Sequence, residues 1–291
     1  MSNESISRDI ETKEIFENVL NRHGYGFHYS VLKKLDDLRK TSKSAFVFEA
    51  AEFPVEVNNQ PTRIDFVLRR ANSRERPLLI LAECKRANPA LSNWCFTKAP
   101  FVSRGRNRNM EPTYIEYFNT SEQSGSYGRA QSHLSNIYHV GCEVRSNLKG
   151  DSAGEKGEAI ETACSQISRG LNGFVNTLIR NNQLLDSNKA ADILPVIFTT
   201  ANLWTSDVDL SLSNLETGHS DISENSFEKA SWIAYQYHTS PGIKHNHRQG
   251  IRPTRLGEFM FTEYVRTIPI ISSSGIEDFI KWASYDLDLD S

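Results

Sequence analysis

Three residues of this chain have types and spacing suited to phosphate chemistry. Glu83 and Lys85 stand two positions apart at the end of RPLLILAECK, and Asp65 interrupts the apolar run RIDFVL. Side chains two apart on an extended segment point to the same side, so a carboxylate and an ammonium would emerge together where the apolar run stops. If the two runs are neighbouring strands, Asp65 comes up beside Glu83. Two carboxylates held close raise each other's pKa unless a cation lies between them. Mg²⁺ resolves that conflict, because it takes one or two carboxylates together with waters and a phosphate oxygen, and Mn²⁺ can substitute for it. Lys85 would then orient a water or neutralise charge developing on the phosphate.

The elements that must position these groups can be read from periodicity. Residues 6–23 place Ile10, Ile15, Phe16, Val19 and Leu20 at helical spacing with Gly24 as a stop, and YSVLKKLDDL is a second amphipathic piece after the GYGF turn. AFVFEAAEFPVEV and TRIDFVLRR read as strands joined at NNQP, and RPLLILAEC as a third. Both faces of that third strand are apolar until Glu83, which predicts a central place in a sheet covered on both sides. Glu49 and Glu52, on the first strand, have two readings, a place flanking the site and a surface position, of which the surface is favoured. Residues 88–157 are the least regular part, with helical signals only in YIEYF and QSHLSNIYHV, and read as an insertion with mobile loops. In EAIETACSQISRGLNGFVNTLIRN a stripe of Ile160, Cys164, Ile167, Leu171, Phe174 and Leu178 predicts a helix of five or six turns. ILPVIFTTANLW, ASWIAYQYHT and EFMFTEYVRTIPII read as further strands, and SGIEDFIKWASYDL as a final helix opened by a Ser cap.

The chain has 291 residues, 38% apolar and 24% charged, which fits one folded domain spanning 1–291, with 201–291 as a C-terminal extension of the core. A net charge of −3 means that any nucleic-acid surface must be a local patch. Two such patches stand out. One is Arg104, Arg106 and Arg108 in SRGRNRN, and the other is Lys244 and Arg248 in the loop that also carries His238, His245 and His247. The HxH spacing lacks the Cys partners or regular scaffold of a zinc site. Four scattered cysteines with no CxxC read as reduced thiols. The N-terminus lacks the apolar core of a signal peptide, and no apolar run approaches the roughly 20 residues of a membrane helix, so a cytoplasmic location is expected. The four tryptophans read as core or interface anchors.

The Asp65…Glu83-Cys84-Lys85 arrangement resembles the PD-(D/E)xK nuclease superfamily. Ile64 stands where that pattern has Pro. The order helix, three strands, helix, strand over residues 6–200 is similar as well. The resemblance implies an α/β restriction-endonuclease-like fold, a central mixed β-sheet flanked by helices, here with a long insertion after the third core strand. It implies an Mg²⁺-dependent endodeoxyribonuclease in a restriction or phage-defence setting. Asp65, Glu83 and the backbone carbonyl of Cys84 would be metal ligands. EIFENVLNRHGYGF looks like the first helix of Mrr-like members, where Glu17 would approach the metal, and Gln166 matches a Gln that faces the site from the following helix. Gly170 replaces the Tyr that often follows that Gln. Double-stranded DNA as substrate suggests a homodimer with one site for each strand. Sequence specificity would come from the insertion or from a partner subunit. A non-catalytic nucleic-acid-binding module on the same fold, or an RNA-directed nuclease, are the other readings of the same residues.

Overall fold

The computed structural model describes residues 12–17, 19–20, 24–71, 77–98, 114–119, 126–131, 137–144, 158–180, 191–220, 226–240 and 264–287. Residues 12–17 and 19–20 are helical and exposed. Helix α1 (Tyr25–Lys40) starts inside the segment read as a turn, because Gly24 bends the chain just before it with a left-handed φ of 72°. His28, Val31, Leu35 and Leu38 form its buried face at spacings of three and four.

Strands β1 (Phe46–Val57) and β2 (Gln60–Arg70) make an antiparallel hairpin closed by Val57↔Gln60. Its two-residue loop, Asn58 and Asn59, has φ of 53° and 60°. Two left-handed positions match the twist of the flanking strands, and Asn tolerates them. Strand β3 (Leu78–Lys85) pairs antiparallel with β2 and, along its whole length, parallel with β9 (Asp192–Thr199). It is buried from Leu78 to Glu83 and sits at the centre, as its two apolar faces require. Each of Leu78, Ile80 and Leu81, fully buried, contributes on the order of 1.5–3 kcal/mol.

The crossover from β3 to β9 carries helix α2 (Ala159–Arg180), 22 residues, whose stripe from Ile160 to Leu178 is buried as its period predicts. The sheet continues through β13 (Val265–Ser272), β12 (Trp232–His238) and β7 (Ile137–Tyr138), giving the order β1-β2-β3-β9-β13-β12-β7. Parallel and antiparallel pairs both occur in it. The α2 stripe packs on Ile64, Val67, Leu79, Leu81 and Ile193. On the other face, α1 and the short helix α3 (Ile276–Lys281) cover Phe66, Leu68, Leu78, Ile80 and Ala82. The fold is thus mixed α/β, a mixed sheet flanked by helices.

Several expectations are corrected. YIEYF is not helical: it lies in strand β5 (Tyr114–Asn119), which pairs with β6 (Ser126–Gln131) and with the start of β9. Its aromatic and β-branched residues favour a pleated surface, and Ile115 is fully buried. Residues 93–144 also feed a second, four-stranded sheet, in which β11 (Phe227–Ala230), β10 (Asn202–Ser206), β4 (Asn93–Thr97) and β8 (Val140–Val144) lie side by side. At the C-terminus Ser274 does not cap the final helix: its hydroxyl lies 2.9 Å from that of Ser272, and α3 begins after a tight turn at Ser273–Gly275 with Gly275 as its N-cap; the Ser272 hydroxyl donates to the Ser231 carbonyl at 2.8 Å. Trp94, Trp232 and Trp282 are buried, while Trp204 carries Lys229 over its ring at 5.3 Å. Among the described residues no helix is long and apolar enough to cross a membrane.

Candidate active site

The ladder between β2 and β3 runs from Arg69↔Leu79 to Phe66↔Ala82 and stops there, although β2 stays paired with β1 down to Gln60. The sheet therefore forks at Asp65. Ile64 and Val67 belong to the α2 core whereas Phe66 and Leu68 belong to the α1 core, so strict alternation is interrupted at this residue. The Asp65 carboxylate takes over from the missing ladder by accepting the Cys84 N–H at 2.6 Å. That bond places Asp65 at the peptide between Glu83 and Cys84. A strand residue directs its N–H and C=O to the same edge, so the Cys84 carbonyl also faces the fork. The Lys85 carbonyl faces the opposite edge, where it accepts from Thr200 N–H at 3.3 Å.

The register on the other side of β2, Ala51↔Phe66 and Phe53↔Ile64, puts Glu52 opposite Asp65. Glu52 has φ of 49°, an unfavourable backbone for a residue with a side chain. Such strain, of order 1–3 kcal/mol, persists where the surroundings enforce it and concentrates at functional sites. From α1, His28 reaches the same place. Its Nδ1 lies 3.8 Å from Glu52, its ring packs against Phe66 with centroids 5.6 Å apart, and ligand atoms of His28, Glu52 and Asp65 all fall within 4.8 Å of one another. His28 is 5% exposed, and its Nε2 has no hydrogen-bond partner among the described residues.

Electrostatics mark the same cluster. Burial raises the Asp65 pKa above the usual carboxylate value, opposed by the Cys84 N–H and by the charges of His28 and Lys85, and reinforced by Glu52. Glu83, 7% exposed, is pushed well above its usual value, first by burial and then by the charge of Asp65, with Lys85 acting the other way and Glu52 adding to the rise. Carboxyl groups whose protons are retained first by burial and then by mutual repulsion are poised to release them to a divalent cation. The donor set that distance groups, the carboxylates of Asp65 and Glu52 with the His28 imidazole, fits such an ion. Carboxylate and carbonyl oxygens suit Mg²⁺ or Mn²⁺, and an imidazole favours transition ions over Mg²⁺.

A raised folded-state pKa has a testable sign. At low pH Glu83 is protonated in both the folded and unfolded chain. As pH rises above the ordinary carboxylate range, the unfolded chain releases the proton first, so stability falls until the raised folded value is passed. Glu83→Gln removes that loss. In EDTA its melting temperature is expected to match wild type near pH 4 and to exceed it at pH 8, by about 2–4 °C for each kcal/mol relieved. Parallel melting curves across this range would show that Glu83 is an ordinary carboxylate.

The structure thus joins Asp65 to the Cys84 peptide, places Glu83 and Lys85 near enough for charge to act between them and Asp65, and groups His28 and Glu52, rather than Glu83, with Asp65 by distance. Glu52 takes the flanking place, the less favoured of its two readings, whereas Glu49 sits outside, at a bulge between Phe48 and Ala50, bonded to Arg69 at 2.6 Å. Glu17 is exposed in the helical residues 12–17, and the described acid grouped with Asp65 is Glu52. Gln166 is an exposed residue of α2, with Ile167 and Ser168 buried beside it. Arg104, Arg106, Arg108, Lys244, Arg248, His245 and His247 lie outside the described residues. His238 is exposed at the end of β12. A helix whose apolar face begins with His is the signal that could have revealed His28, since Val31 and Leu35 follow on the same side. No family model, curated protein or solved structure matches the chain.

Proposed function

We propose that the chain is a divalent-metal-dependent nuclease of restriction-endonuclease-like fold, hydrolysing phosphodiester bonds in DNA. The observation that carries this reading is the fork at Asp65, where the carboxylate accepts the Cys84 N–H from the end of β3 and lies with Glu52 and His28 within 4.8 Å, while the charges of Asp65 and Lys85 act on the buried Glu83. Asp65, Glu83 and the Cys84 carbonyl would hold Mg²⁺ or Mn²⁺, with His28 and Glu52 closing the α1 side. When bound, the ion lowers the pKa of a ligated water and offsets charge on the scissile phosphate.

The chain's own groups perform the rest. Burial of Glu83 excludes bulk water from the base of the site, which strengthens the attraction between Lys85 and an incoming phosphate. The Lys85 ammonium, on the same side of β3 as Glu83, orients the attacking water and stabilises the negative charge that grows on the phosphate oxygens. Asp65 is held in one orientation by the Cys84 N–H and needs no reorganisation. A cytoplasmic role in restriction or phage defence accords with this chemistry. Specificity would then rest with residues 88–157 or with a partner subunit.

The reading is tested by incubating purified chain with linear, circular and single-stranded DNA, and with RNA, in Mg²⁺, in Mn²⁺ and in EDTA. Cleavage of DNA in either metal and its loss in EDTA are expected. Salt-sensitive binding with no turnover in any metal would assign the fold to a non-catalytic module instead. Cutting both strands of a duplex calls for two sites, so light scattering is expected to give twice the monomer mass on DNA. A monomer there would rule the homodimer out.

A further inference from the structure

The second sheet carries a cysteine pair that the phosphate site does not use. Cys95 on β4 and Cys142 on β8 are direct partners in an antiparallel ladder, so their side chains leave the same face of the sheet. Trp94 and Phe96 fill the buried face, which puts both thiols on the other one, Cys95 half-buried and Cys142 exposed. The Ser92 carbonyl accepts from Asn202 N–H at 2.8 Å on the β10 side, and the Thr97 carbonyl accepts from His139 N–H at 3.0 Å on the β8 side. Backbone groups at 93, 95 and 97 therefore face β8. Cys95 and Cys142 form a hydrogen-bonded pair, for which Cα atoms stand about 5.5 Å apart, inside the usual range for a disulfide. The Cys142 thiol donates to the Cys95 carbonyl at 3.6 Å, and the two sulfurs are hydrogen-bonded to each other.

We propose that Cys95 and Cys142 are a redox modification site, a dithiol that a peroxide converts reversibly to a disulfide across β4 and β8. Cys142 reacts first. It is the exposed partner, and the Cys95 hydrogen bond draws its pKa down to about 7 against the opposing effect of burial, while that same bond raises Cys95. The Cys142 thiolate attacks one peroxide oxygen, the O–O bond breaks, and hydroxide leaves, so Cys142 becomes a sulfenic acid. The Cys95 sulfur then attacks the Cys142 sulfur. The S–O bond breaks, the Cys95 proton goes to the departing hydroxide, and water and the disulfide result. Two thiols are oxidised by two electrons and one peroxide is reduced to two waters. The bond ties together the strands that bracket residues 98–139 and closes that segment into a covalent loop. An exposed cross-strand bond of this kind is readily reduced again, as a reversible switch requires. The neighbouring cysteines cannot substitute, since Cys164 is buried on α2 and Cys84 is on β3 of the other sheet.

The test uses the full-length chain treated with hydrogen peroxide at pH 7.5, then denatured, alkylated and analysed by mass spectrometry. The expected result is loss of two of the four alkylatable thiols, a mass lower by two hydrogens before alkylation, and one cross-linked peptide pair containing Cys95 and Cys142. Dithiothreitol should restore all four. In Cys95→Ser, the sulfenic acid should persist at Cys142 and be trapped by dimedone. Four alkylatable thiols after treatment, a Cys142 sulfinic acid in wild type, or a cross-link between two chains would each overturn the proposal.

Discussion

Asp65→Asn is expected to abolish metal-dependent DNA cleavage while leaving the chain folded. The amide keeps an oxygen that can accept the Cys84 N–H, so the end of the β3 ladder stays satisfied. Asp65→Ala would instead leave that N–H without its acceptor, at about 1–3 kcal/mol, and would confound chemistry with stability. What Asn cannot do is present a negative charge to a divalent ion. Charge stabilisation through such an ion contributes several kcal/mol in the transition state, and each 1.36 kcal/mol is tenfold, so a loss of about 10³-fold in kcat/KM is expected. The melting temperature in EDTA should be equal or higher, because burial already disfavours the Asp65 charge. Lys85→Ala is expected to lower kcat by about 10²–10³ with little change in metal affinity, as removal of a group that meets charge developing on the phosphate does. Titration of Mn²⁺ by calorimetry separates the two, since binding is lost in Asp65→Asn and retained in Lys85→Ala. Wild-type rates in either purified variant would end the assignment of the fork as the catalytic centre.

Parts of this site were legible because they follow from period and polarity. The central place of β3 follows from two apolar faces, and the common side of Glu83 and Lys85 follows from strand geometry alone. The length and buried stripe of α2 follow from a 3.6-residue period. The turn at Asn58 and Asn59 is announced by residues that tolerate left-handed backbone. What could not be read is whatever depends on a broken rule. Glu52 stands opposite Asp65 in the register that the Asn58-Asn59 turn sets, but the positive φ that breaks its regular strand geometry leaves no mark in FEAAEF. Regular alternation would give Asp65 one sheet face, whereas the fork turns it toward Cys84. His28 is a lone polar residue on an apolar helix face, and only the meeting of α1 with β1 and β2 gives it partners. The second sheet was hidden for a different reason. Its strands are four or five residues long and are collected from segments far apart in the chain, so each alone carries too little periodicity to be distinguished from loop.

The largest stability effect is expected at a residue remote from this chemistry in sequence. Gly275 ends the tight turn between β13 and α3, with an ordinary φ of −92°, so space and not backbone angle requires a glycine there. A Cβ at this position would lie 2.0 Å from the Ser231 carbonyl oxygen and 2.5 Å from its carbon. Both are backbone atoms, and no side-chain rotation can relieve the overlap. Ser231 is itself pinned, because its carbonyl accepts the Ser272 N–H at 3.1 Å and the Ser272 hydroxyl at 2.8 Å. Either those bonds break or α3 moves away from the sheet, pulling Phe279 and Trp282 from their packing on Trp232, where ring centroids now lie 5.3 and 4.9 Å apart. Overpacking a rigid site costs up to about 3 kcal/mol and sometimes more, and with about 2–4 °C per kcal/mol Gly275→Ala should melt roughly 6–12 °C lower. Near-ultraviolet circular dichroism should weaken as the tryptophan cluster loosens. Cleavage per folded molecule, measured well below the melting transition, should stay near wild type, since the fork at Asp65 is built by β1, β2, β3 and α1. Gly275→Ala thus loses stability and keeps chemistry where Asp65→Asn does the reverse. An unchanged melting temperature would mean that the α3 turn does not pack on Ser231 as the fold requires.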